Sequence, residues 1–117
     1  MEVINGITVP PEPAPSINNA TLAGVDVNNN GVRDDVERLI ARQWPSNYSV
    51  GIQVAKQVQS VLIGSGSVDP AMQKIVFCAF INKQVDEYQL MGALLNTDAR
   101  DAAYTKRVGF EKVERCD

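Results

Sequence analysis

From Val32 onward, apolar residues recur at the three-and-four spacing of a helix face. Val32, Val36, Leu39 and Ile40 predict a first helix, which stops where Trp44 precedes Pro45 because proline drives its predecessor out of the α region. Val50, Val54, Val58, Val61 and Leu62 predict a second, closed by Gly64-Ser65-Gly66-Ser67. Its β-branched content weakens intrinsic propensity, so packing must hold it. Asp69-Pro70 opens a third in the N-cap and N1 arrangement, running through Ile81, Val85 and Tyr88 to Leu94-Leu95, with a bend expected at Gly92. Asn96-Thr97-Asp98 breaks the pattern and caps a fourth, from about Ala99 to at least Val108, with Arg100, Asp101, Lys106 and Arg107 facing outward. Ahead of these, Pro10-Pro11-Glu12-Pro13-Ala14-Pro15 cannot form a helix, since proline removes donors and fixes φ. The expected fold is all-α: a small bundle of about four helices behind an extended Pro-rich segment. The division falls at residues 1–22 for that segment and 23–117 for the bundle with the loop that precedes it.

Composition narrows the partners. A chain of 117 residues is one domain, and a formal net charge of −3 with eleven Lys and Arg scattered among fourteen acids leaves no basic stripe for nucleic acid. No apolar run approaches the roughly 20 residues needed to span a bilayer. Histidine is absent, so Ser-His and Cys-His nucleophile pairs cannot form, and Gly64-Ser65-Gly66-Ser67 lacks the lysine and strand of a phosphate loop. A non-catalytic protein is expected.

The strongest chemical signal lies just before the first helix. Asp26-Val27-Asn28-Asn29-Asn30-Gly31-Val32-Arg33-Asp34-Asp35-Val36-Glu37 fits D-x-[DN]-x-[DN]-G-x5-E without a gap. Ca²⁺ is a hard cation that takes about 6–8 oxygen ligands, and short oxygen-bearing side chains at alternate positions supply them along one turn. Asp26, Asn28 and Asn30 provide the alternation, and Gly31 permits the bend.

These residues resemble an EF-hand-type calcium loop. The likeness implies side-chain ligands at Asp26, Asn28, Asn30 and Glu37, a carbonyl ligand at Val32, and Asp34 as a ligand directly or through water. Arg33 occupies the place of the aliphatic residue that would pair with a second loop, no second loop exists, and the proline run forbids an entering helix. The arrangement is closer to the loop-then-helix half-motif of dockerin and thrombospondin-type-3 repeats. Together with the Pro-rich lead and short bundle, it also resembles small bacterial periplasmic or lipoprotein-like proteins, a likeness that names no activity.

A metal-free reading competes with it. Asn30-Gly31 is a turn signal by itself, and Asp34-Asp35-Val36-Glu37 reads as a capping box, with Asp34 as N-cap and Glu37 reaching back to its amide. The protein would then be a helical interaction domain whose partner binds an apolar face or the Trp44 corner. A loop with few carboxylates would stay empty at cytosolic calcium, so the metal reading carries an expectation of export to the periplasm, with any signal or lipid anchor outside this chain. Cys78 and Cys116 allow one pairing, which would close a loop of about 38 residues and stabilise by roughly 3–4 kcal/mol in the chain-entropy model.

Overall fold

The computed structural model describes residues 1–64, 70–108 and 116. It is mainly helical, in this order: strands β1 (Glu2–Ile4) and β2 (Ile7–Val9), helices α1 (Pro15–Asn18) and α2 (Asp34–Gln43), a 3-10 turn at Pro45–Asn47, then α3 (Tyr48–Leu62), α4 (Pro70–Ile81), α5 (Glu87–Leu94) and α6 (Asp98–Val108). No described helix is long and apolar enough to cross a membrane.

The helices form because their apolar stripes meet in one core. Val32, Val36, Ile40, Val54, Ala55, Val58, Ala79, Val85, Leu90 and Leu94 are all buried there, flanked by Trp44, Tyr48, Phe80, Met91 and Tyr104. The α3 helix is central, packing on α2, α4, α5 and α6. Its crossing with α2 is close at Gly51, where an added Cβ would lie 2.6 Å from Ile40 Cγ2. Trp44 is thus a partly buried core flank at the end of α2. A disulfide joins Cys78 on α4 to Cys116, with Cα atoms 5.4 Å apart.

Two expectations about architecture are corrected. The segment before the loop is not extended throughout, and the described helices exceed four. β1 and β2 pair antiparallel, Glu2 with Val9 and Ile4 with Ile7, across Asn5-Gly6, whose φ angles of 51° and 80° are those of a tight hairpin turn. This hairpin docks on α2. Asn5 donates to the carbonyls of Ala41 and Arg42 at the helix end, and Arg38 reaches the Pro10 carbonyl (3.0 Å) and pairs with Glu2 and Glu12.

The long third helix is two helices, and the break lies at residues 82–86, before the expected bend at Gly92. Lys83 adopts a φ of 56°, while Gln84 N–H donates to the Ala79 carbonyl and Lys83 N–H to that of Phe80. Those paired bonds close α4 in the manner of a Schellman cap without its usual glycine. Asp86 then starts α5 by accepting the Gln89 N–H at 2.8 Å. Gly64 follows α3 with a φ of 71°, as a helix-ending glycine should. Ser65–Ser67 and the cap expected at Asp69 lie outside the described residues.

Candidate metal site

The motif occupies the connection from residue 24 into α2, and a polar clamp holds that connection down. Arg33 is fully buried; its guanidinium grips the Asp35 carboxylate through Nε and a terminal nitrogen (2.9 and 3.0 Å) and donates to the Leu94 and Ala93 carbonyls of α5. Arg100 is also fully buried, which corrects the outward placement expected of it. It donates to the carbonyls of Asn18, Thr21 and Leu22 and to the side-chain oxygens of Asn19 and Asn96. Burial, then repulsion from Arg33, lowers its pKa. Gln59 of α3 donates to the Ala23 carbonyl, and the Asn18 side chain accepts the Val25 N–H. Gly24, at a φ of 64°, passes between the arginines. A Cβ there would fall 2.6 Å from Arg33 Cδ and 2.7 Å from Asn18 Oδ1.

Beyond the clamp the chain makes the expected turn. Asn29 and Gly31 take φ angles of 55° and 84°, and the Asp26 carboxylate accepts the N–H groups of Asn30 (3.2 Å) and Gly31 (2.9 Å), folding the loop around itself. Asp34 accepts the Val27 N–H on both oxygens, at 3.3 and 3.2 Å. Glu37 receives the amide groups of Asn28 (3.3 and 3.2 Å) and of Asn30. The Asn30 side-chain Oδ1 accepts the Val32 N–H at 3.0 Å, and the Val32 side chain is locked in the core. The chain thus folds Asp26, Asn28, Asn30, Asp34 and Glu37 into one loop with Val32 at its exit.

Its inner side is acidic, while Lys56 of α3 lies against Gly31 and lines the same open cavity as Asp26 and Asn30. Asp34 and Glu37 are only 1% and 2% exposed. Burial raises both pKa values above the ordinary 3.8 and 4.5; backbone and amide donors pull them back, and the charges of Asp26 and of each carboxylate's other acidic neighbours push them up again. The Tyr48 phenol is pushed up to about 12 by burial and the nearby Glu37 charge. Among the described residues no Lys or Arg forms an ion pair with Asp26, Asp34 or Glu37. Nor do three or more Asp, Glu or Cys side chains gather closely enough to hold a metal by themselves. An ion here would therefore need the amide and carbonyl oxygens as well. That donor set, oxygen only, suits a hard cation, and Asn28 and Asn30 can offer Oδ1 after a half-turn of the amide.

The capping box of the metal-free reading is not formed. Arg33 is the N-cap, with no side-chain cap bond, and the Asp34 amide donates to the Val25 carbonyl at 2.8 Å instead of to Glu37. Sequence reasoning missed Arg33, Arg100, Gln59 and Asn18 as supports of the loop. Only Asn96, one helical turn before Arg100, hinted at a partner for it. Compared with known protein families, curated proteins and solved structures, the chain matches none.

Proposed function

We propose that the loop at residues 26–37 binds one Ca²⁺ and that the ion's role is structural, in a non-catalytic exported module. The observation that carries this reading is the burial of Asp34 and Glu37 beside Asp26 with no ion pair to any of the three among the described residues; Lys56 of α3 lies against Gly31 without closing one. Buried like charges raise one another's pKa and cost stability, and a divalent cation relieves both effects. Asp26, Asn28, Asn30, Asp34, Glu37 and the Val32 carbonyl would hold it. With three carboxylates and no second loop, affinity belongs in the weak range, on the order of 10⁻⁵ to 10⁻³ M, which fits calcium levels outside the cytosol. Switching is disfavoured, because a sensor moves a full entering helix against a leaving one, and here only the four-residue α1 and a turn precede the loop. Hydrogen exchange with and without Ca²⁺ tests this. Added protection confined to residues 24–37 supports a structural ion, whereas protection lost in α3 or α4 together with new hydrophobic-dye binding indicates a sensor.

The metal-free interaction domain draws support from one feature: Asp26, Asp34 and Glu37 each already accept N–H groups within the protein. Titration with Ca²⁺ separates the two readings.

A further inference from the structure

The α5 helix and the start of α6 form an open groove of about 460 Å³, lined by Glu87, Tyr88, Met91, Gly92, Leu95 and Asp101. Its size is that of a small-ligand site, roughly 300–1,000 Å³. Five of these residues lie on α5 and its C-cap at spacings that place them on one helix face. Met91 and Leu95, partly buried on the core, make an apolar floor. Gly92 lies between them, and a Cβ at that position would meet nothing within 4 Å. Tyr88 is 91% exposed, leaving a whole aromatic ring uncovered. Glu87 and Asp101, one from each helix, are exposed, and among the described residues neither forms an ion pair.

An apolar floor, a free aromatic face and two unneutralised carboxylates suit one kind of group, a cation on an aliphatic stem. We propose that the α5–α6 groove binds an arginine side chain of a basic peptide. The stem lies over Met91, Gly92 and Leu95, the guanidinium sits between Glu87 and Asp101, and the Tyr88 ring covers its face. Arginine fits better than lysine because a planar guanidinium both stacks on a ring and pairs with carboxylates through two donors. The chain's net charge of −3 favours encounter with such a partner. The groove shares no residue with the loop at 26–37, but Arg33 of that loop donates to the Ala93 and Leu94 carbonyls of α5, so calcium is kept out of the test.

The test is an NMR titration in EDTA with a short peptide carrying one arginine, and with the same peptide carrying neutral citrulline. Saturable shifts at the amides of Tyr88, Met91, Gly92 and Asp101 are expected with arginine, and binding about fivefold weaker with citrulline. Tyr88→Ala should weaken the arginine peptide about two- to fivefold. Gly92→Leu, which fills the floor and favours the helix, should abolish binding with the melting curve intact. Glu87→Gln with Asp101→Asn, both at exposed positions, carries the same test if the leucine variant does not fold. Absence of saturable shifts, equal response to citrulline, or undiminished binding by these variants would overturn the proposal. So would saturation of the same amides by millimolar Ca²⁺, which would make the groove a metal site.

Discussion

Two polar assemblies lie side by side at the entrance to α2, one buried and one partly exposed, and they treat charge in opposite ways. In the clamp, Arg33 is matched by Asp35 and two carbonyls, and Arg100 by three carbonyls and two side-chain amides. In the loop, Asp26, Asp34 and Glu37 accept N–H groups yet form no ion pair among the described residues. The two arginines are matched within the protein, although the buried Gln59 Oε1 beside them has no partner among the described residues; the loop acids are matched by hydrogen bonds only. Hydrogen bonds satisfy lone pairs, but they do not cancel net charge in a poorly solvated place. That difference assigns architecture to the arginines and motivates the proposal that the acids take an ion.

The largest expected effect breaks the clamp. Arg100→Met leaves the carbonyls of Asn18, Thr21 and Leu22 without their donor, and should cost at least about 3 kcal/mol of unfolding free energy. Urea denaturation measures it, and saturating Ca²⁺ should not restore the loss. Gly24→Ala should come next, at about 2–4 kcal/mol, since it combines a strained left-handed residue with overlap on Arg33 and Asn18. A variant melting like the wild type would remove the close passage between the arginines from the account.

Much of this was legible in the amino-acid sequence, and the failures have physical causes. The starts and stops of α2 and α3 follow from apolar spacing, from Pro45 and from Gly64. The hairpin was hidden by attention to the prolines that follow it, although Asn5-Gly6 between short apolar strands is a strong turn signal. The break after Ile81 has neither glycine nor proline, because Lys83 takes the left-handed position itself. For the loop, the pattern named the residues that come together. It could not reveal Arg33 and Arg100 as buried, because a charged residue on a helix normally faces water, and only tertiary folding brings the carbonyls of residues 18–22 over α6.

The next tests sharpen the loop's side of the comparison. Asp26→Asn and Glu37→Gln each remove a negative charge, so each should abolish or strongly weaken calcium stabilisation. For Glu37→Gln, apo stability should change by less than about 1 kcal/mol and in the direction of gain; Asp26→Asn also sets an amide donor against the Asn30 or Gly31 N–H and should lower apo stability by about 1 kcal/mol. Thermal melts with and without Ca²⁺ report both quantities. A large apo loss in both variants would show the carboxylates to be needed for folding in their own right.

The smallest effect is one of pH. Because burial raises the pKa of Asp34 and Glu37, the folded protein holds protons that the unfolded chain has released. Without calcium, these groups should therefore add stability as pH falls from neutral through the raised values. The gain should level off below the ordinary 3.8 and 4.5. With calcium the trend should reverse, since protons compete for the same oxygens. Comparing wild type with Glu37→Gln across pH 4–7 in EDTA isolates the Glu37 part, and a difference that does not vary with pH would contradict it.

Isothermal titration of the metal-free protein with Ca²⁺, paired with a calorimetric melt, tests the central claim most directly. The account predicts one site, a dissociation constant on the order of 10⁻⁵ to 10⁻³ M, and about 2.7 kcal/mol of added stability at a hundredfold excess over that constant. No heat at millimolar Ca²⁺ and an unmoved melting temperature would contradict it, leaving the loop as a turn held by its own hydrogen bonds.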